Sequence, residues 1–122
     1  MKKSICILGS TGSIGKNSLS VINSKKKLFS IKTLVADTNY KEIIKQIKIY
    51  KPKEFVVNNN KIFLKVKLKY KNKNIKIYNN YNHFNKIKKK IDITISAIPG
   101  IAGLEPTMIL TKVTKKILIA NK

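Results

Sequence analysis

Short runs of β-branched and aliphatic residues alternate along the chain with segments whose apolar positions recur every three or four residues, and Asn- and Lys-rich connections separate the two. This rhythm predicts an open, mostly parallel sheet of about six strands with crossover helices on both faces. The strands are expected over residues 4–8, 31–36, 54–57, 74–78, 92–97 and 116–120. Over 14–23 the helical period places Ile14, Val21 and Ile22 near one face, and over 40–50 it repeats Tyr40, Ile43, Ile44, Ile47 and Tyr50. The stretch 61–70 is ambiguous. Ile62, Leu64, Val66 and Leu68 alternate with Lys in a strand-like period, but the strand–helix rhythm asks for a helix, and a helix is assigned. The segment 79–90 is short and polar, anchored by Phe84 and Ile87. A last helix is expected over 104–113, with Pro106 near its start, where a missing N–H costs little.

A chain of 122 residues is enough for one domain with one core. Its apolar runs are too interrupted to span a bilayer, so no membrane partner is expected. Met1-Lys2-Lys3-Ser4 leads into Ile5-Cys6-Ile7-Leu8, a run too short for a signal-peptide core, which points to the cytoplasm. Cys6 is the single cysteine and can form neither an intrachain disulfide nor a thiolate metal cluster.

The formal charge of +22 would suit nucleic acid. All 27 basic residues are Lys, however, and the guanidinium fork used to read phosphates and base edges is missing. Lys, Ile and Asn together make half the chain, which reads as A/T-rich codon bias at exposed positions. No specific nucleic-acid partner is expected. A Lys-rich nucleic-acid binder stays as a lesser alternative.

Two clusters of small residues sit where chemistry is expected. Gly9-Ser10-Thr11-Gly12-Ser13-Ile14-Gly15 follows the first strand and opens the first helix. Glycines there allow a tight turn, a close backbone approach to a pyrophosphate and close helix–strand packing, while the helix start attracts phosphate. The spacing G-x-x-G-x-x-G departs from G-x-G-x-x-G, and a plain glycine-rich turn with Thr11 or Ser13 as helix cap is the competing account. Asp37, 22 residues past Gly15, stands where a dinucleotide-binding domain places the acid that bonds a ribose 2′-hydroxyl, which favours NAD; it could equally cap the helix beginning near Tyr40. Ala97-Ile98-Pro99-Gly100-Ile101-Ala102-Gly103 follows the fifth strand, either as part of a ligand crevice or as a tight turn. His83 has no acid or cysteine near it in sequence and is expected on the solvated surface.

Three of these stretches resemble the N-terminal cofactor domain of the 1-deoxy-D-xylulose 5-phosphate reductoisomerase family: 7–15, Leu34-Val35-Ala36 with Asn39, and 100–107 leading to 117–122. The resemblance implies a Rossmann-like doubly wound fold over 1–122 that binds NADPH, in an oxidoreductase turning 1-deoxy-D-xylulose 5-phosphate into 2-C-methyl-D-erythritol 4-phosphate for isoprenoid synthesis by the non-mevalonate route. Carried over by motif, Gly9, Thr11, Gly12, Ser13, Ile14 and Gly15 hold the pyrophosphate end. Asp37, Thr38 and Asn39 surround the 2′-phosphate, Ala97 borders the cofactor, Asn121 contacts NADPH, and Lys122 faces the substrate. Asp37 and Thr38 depart from the small residue and the Lys or Arg usual in the family, which leaves NADP against NAD open. The family's metal-binding carboxylates, for Mg²⁺ or Mn²⁺, lie beyond residue 122, as does its C-terminal domain. The expectation is therefore a cofactor-binding fragment, inactive alone, with no metal ligands or catalytic residues of its own. The resemblance implies a homodimer for full-length members and leaves this chain's own state open. The alternative is a stand-alone nucleotide-binding module with a regulatory role.

Overall fold

The structure, a computed structural model, describes residues 1–120. Along the chain run β1 (Lys3–Leu8), α1 (Ser13–Ser24), β2 (Phe29–Ala36), α2 (Tyr40–Tyr50), β3 (Glu54–Val57), α3 (Asn60–Lys69) and β4 (Lys76–Tyr78). A 3₁₀ turn (Asn82–Lys86), β5 (Ile91–Ser96), a second 3₁₀ turn (Gly100–Gly103), α4 (Leu104–Thr111) and β6 (Thr114–Ile119) complete it. The six strands form one sheet in the order β4-β3-β2-β1-β5-β6, and every pairing is parallel. The fold is a doubly wound α/β sheet, and its winding direction reverses between β1 and β5.

Strand alternation builds two cores, one on each face. Ile5, Ile7, Leu34, Phe55 and Val57 pack with Leu19 and Ile22 of α1, Ile43 and Ile47 of α2, and Val66 of α3. Cys6, Leu8, Val35 and Val56 point the other way, against Phe84 of the first 3₁₀ turn and Leu110 of α4. Burial pushes the Cys6 thiol far above its usual range, which leaves it a small core side chain without nucleophilic character.

The departures from the expected pattern have local causes. In α1 the inward stripe is Gly15, Leu19 and Ile22, whereas Ile14 and Val21 are largely exposed. Counting apolar residues cannot reveal a face whose first member is a glycine. The ambiguous 61–70 stretch is indeed helical. Asn59 Oδ1 accepts the Ile62 amide at 3.0 Å, and of the alternating residues only Val66 is fully buried, with Leu64 and Leu68 left in solvent. β2 begins two residues early because Phe29 pairs with Lys3, while the fourth strand shrinks to Lys76–Tyr78. Within 79–90 only Asn82–Lys86 is regular, anchored by the fully buried Phe84. The last strand starts at Thr114, whose hydroxyl bonds that of Thr94 at 2.8 Å.

Candidate functional site

The reversal of strand order between β1 and β5 opens a crevice at the carboxyl ends of the strands, the place where open α/β sheets bind ligands. A cleft of about 270 Å³ lies there, lined by Gly9, Thr11, Gly12, Asp37, Asn58 and Ala97, among others. The first turn is held from below: the Gly9 and Ser10 amides both donate to the Val35 carbonyl, at 2.8 and 2.9 Å. It is held from the side by Gln46 of α2, fully buried, whose Nε2 donates to the Ser10 carbonyl at 2.9 Å and to Glu42 Oε2 at 3.1 Å. Sequence reading missed Gln46 because it is polar. Its position three residues after Ile43 was the available signal that it shares the inward face.

The glycines of this turn serve three purposes. Gly9 adopts φ +82°, and a Cβ on it would press on the Ala97 backbone. At Gly15 a Cβ would collide with the Gly9 carbonyl and the Ser10 backbone, so its absence lets α1 start tight against the turn. Gly12 meets only the Gly9 carbonyl, at 3.7 Å, and a side chain there would occupy the cleft instead of clashing with protein. Gly12 is also the N-cap of α1, and no side chain caps that terminus. Thr11 and Ser13 are therefore not helix caps. The first-turn amides of Ser13 and Ile14 have no acceptor among the described residues. Uncapped N–H groups at a positive dipole end, beside an open cleft, suit phosphate oxygens.

The expected site residues divide. Gly9, Thr11, Gly12, Asp37 and Ala97 line the cleft together. Ser13 and Ile14 begin α1 directly after the cleft-lining Gly12 but do not themselves line the cleft, and Ile14 borders a shallow apolar depression with Val21 and Ile95. Gly15 is packing. Asn39, not Asp37, caps α2: its Oδ1 accepts the Glu42 amide at 3.2 Å, which leaves the Asp37 carboxylate uncommitted at the cleft. Thr38 lies next to the cleft without lining it. Asn121 and Lys122 fall outside the described residues. Among the described residues no group of three or more His, Cys, Asp or Glu is placed to hold a metal ion, and no helix is long and apolar enough to cross a membrane.

The expectation for His83 is corrected. Its Nε2 lies 2.6 Å from Glu54 Oε2, and its ring stacks on Tyr78 with centroids 3.8 Å apart and touches Phe84. The fold brings an acid from 29 residues away, which no local pattern could show. Glu54 also accepts from the Thr33 hydroxyl at 2.7 Å. Burial raises the Glu54 carboxyl, but the bonds from His83 and Thr33, with the charges of His83 and Lys32, outweigh it and hold the pKa below the ordinary value. At this amino edge of the sheet lies a larger cavity, about 780 Å³, lined by Lys32, Lys51, Glu54, Tyr70, Lys73 and Lys76 among others. The ends of α2 and α3 that reach it are carboxyl ends, whose carbonyls repel anions and attract the lysines. The smaller cleft carries the stronger case for a ligand.

Residues 5–122 match the family model of 1-deoxy-D-xylulose 5-phosphate reductoisomerase. The chain is 43% identical over 123 residues to the protein of that name from Pelagibacter ubique, covering 98% of this chain and 32% of that protein. It is 35% identical over 124 residues to the one from Phocaeicola vulgatus, covering all of this chain and 32% of that protein. The chain thus spans about a third of the length of the relatives it matches. A solved structure of the reductoisomerase from Zymomonas mobilis in complex with NADPH superposes with a TM-score of 0.86 at 24% identity, over 99% of this chain and 32% of that one. Another, of the reductoisomerase with NADPH, fosmidomycin and magnesium, superposes at 0.85 with 24% identity, over 98% of this chain and 30% of that one. Through the family match over nearly its whole length, the chain belongs to the 1-deoxy-D-xylulose 5-phosphate reductoisomerase family.

Proposed function

We propose that residues 1–122 form the NADPH-binding part of a reductoisomerase that converts 1-deoxy-D-xylulose 5-phosphate to 2-C-methyl-D-erythritol 4-phosphate in non-mevalonate isoprenoid synthesis. The observation that carries the reading is the uncapped start of α1, facing the cleft at the strand-order reversal of a chain with this family match. The cofactor fits this site chemically, since the cleft joins free backbone donors to a face that a Gly12 side chain would fill.

Backbone N–H groups around Thr11, Gly12, Ser13 and Ile14 bind the pyrophosphate, and the hydroxyls of Thr11 and Ser13 are close in sequence to assist. Asp37, Thr38 and Asn39 surround the 2′-phosphate, and Ala97 borders the cofactor from β5. NADPH, when bound, supplies a hydride. Asn121 and Lys122 are assigned to the cofactor and the substrate on family resemblance alone. The Mg²⁺ or Mn²⁺ of the reaction belongs to carboxylates outside these residues, so the chain by itself is expected to bind NADPH without turnover. For the whole enzyme a cytoplasmic homodimer is proposed.

Asp37 favours a second reading of cofactor choice, because a carboxylate lining the cleft suits a free ribose 2′-hydroxyl and opposes a 2′-phosphate. Fluorescence titration of the parent and of Gly12→Val with NADPH and NADH tests both points. Parent binding that falls tenfold or more in Gly12→Val, with an unchanged melting temperature, supports the site. Equal binding by the two proteins removes it, and a parent preference for NADH supports the second reading.

A further inference from the structure

The cleft continues past Asp37 to a pair that the motifs do not cover. Asn58 follows β3, and its amide donates to the Ala36 carbonyl at 3.0 Å, which fixes it one strand outward from Asp37 at the same edge. Its side chain is exposed and lines the cleft, yet it is not loose. Asn58 Nδ2 donates to the Tyr81 hydroxyl at 2.9 Å, and the Tyr81 ring rests against the buried Phe84. A surface Asn held by a tyrosine itself anchored in the core, 23 residues away, is more order than a solvated loop needs.

The bond to Tyr81 uses one of the two Nδ2 protons. That leaves the second proton and the Oδ1 acceptor, an adjacent donor and acceptor on one rigid plane. Adenine presents the complement, an N6 amino donor next to a ring-nitrogen acceptor, and the Asn side chain meets such an edge with two parallel hydrogen bonds. Hypoxanthine, with a carbonyl oxygen in place of the amino group, turns an acceptor toward Oδ1. Burial raises the Tyr81 phenol above its ordinary value against the opposing effect of the Asn58 bond, so Tyr81 stays neutral and keeps its hydroxyl proton. With the pyrophosphate at α1 and a ribose at Asp37, the base of a dinucleotide reaches the next strand outward, where Asn58 stands.

We infer that Asn58, oriented by Tyr81, reads the adenine edge of the cofactor and sets the base specificity of the cleft. This rests on the dinucleotide-binding reading above and names a residue for its purine end. The test titrates the 122-residue chain with NADPH and with its deamino analogue, nicotinamide hypoxanthine dinucleotide phosphate. The parent is expected to favour NADPH about tenfold, the discrimination a two-bond Asn–adenine contact supplies. Asn58→Ala should bring the two ligands within about twofold of each other, and Tyr81→Phe should narrow the ratio while leaving the fold intact by circular dichroism. A structural role alone would weaken both ligands equally and leave the ratio unchanged. Equal affinity of the parent for both, or a ratio that survives Asn58→Ala, overturns the inference while the cofactor reading stands. A parent that binds neither ligand overturns both.

Discussion

The two edges of the sheet offer opposite kinds of cavity. The amino edge has volume and charge: about 780 Å³ ringed by lysines, with carboxyl ends of helices turned toward it. The carboxyl edge has about 270 Å³ and little charge, but its donors are backbone amides fixed by turns, and nothing among the described residues uses them. Lysines on flexible stems near a helix carboxyl end are favoured there by its carbonyls without any ligand, and in a chain this rich in Lys they mark no place in particular. Fixed, unpaired N–H groups do mark one, because the geometry that exposes them has to be built. Volume is therefore a poorer guide to ligand binding here than backbone chemistry.

The largest effect separating the edges is expected at Gly15. A Cβ there meets the Gly9 carbonyl and Ser10 backbone, none of which can turn aside, so Gly15→Val should cost about 3 kcal/mol or more of stability. Chemical denaturation measures it. A loss below 1 kcal/mol would mean the first turn is looser than the structure shows, and the argument for preset amides at the carboxyl edge would weaken with it.

At the amino edge the comparable test is His83→Ala. Removing the imidazole leaves the Glu54 carboxylate buried with only Thr33 bonding it, at a cost of about 2 kcal/mol at neutral pH. The pH dependence should flatten. In the parent the Glu54 pKa is depressed, so its contribution is present above the ordinary value of 4.5 and is lost as pH falls through the folded-state value. In the variant burial, the largest single influence on Glu54, is less opposed. The carboxyl pKa then moves up from its depressed value, so acidification toward pH 4 should cost the variant less stability than it costs the parent. Thermal melts of both proteins from pH 7 down to 4 check this, and parallel pH profiles would contradict the proposed balance. NADPH affinity at the opposite edge should stay within twofold.

The contrast also shows which parts of the molecule could be read from residues. The six strands, α2 and the first glycine turn were legible because period and glycine spacing are local signals, whereas α3, whose apolar residues alternate like a strand, could be read only from the strand–helix rhythm of the whole chain. Gly9, Gly12, Asp37 and Ala97 could be placed at one cleft because strand ends locate them once the parallel order is assumed. The bond of Gln46 to the first turn and the Glu54–His83 pair were not legible, since each depends on a partner 36 or 29 residues away, although the spacing of Gln46 from Ile43 already put it on the inward face. Asn58 and Tyr81, 23 residues apart, were hidden for the same reason. The exposure of Ile14 and Val21 followed from a glycine leading the buried stripe, which apolar counting passes over.

The smallest expected effect concerns Asp37, the one charged residue lining the cleft at the carboxyl edge among the described residues. Asn39 caps α2, so Asp37 has no capping duty and its carboxylate is free to act on a ligand. If the ligand is NADPH, the carboxylate and the 2′-phosphate repel each other across solvent, and an exposed charge contact of this kind changes affinity roughly two- to fivefold. Asp37→Gly should therefore tighten NADPH by that factor, with the gain shrinking as salt screens the repulsion. NADH, which offers a hydroxyl that the carboxylate can accept, should bind the variant equally well or more weakly. Calorimetric titrations of both cofactors against parent and variant at 50 and 300 mM salt measure each arm. A salt-independent gain would point to a steric effect of the side chain. A parent that prefers NADH, with the preference lost in Asp37→Gly, would assign the acid to the ribose and replace NADPH with NAD as the cofactor of the cleft.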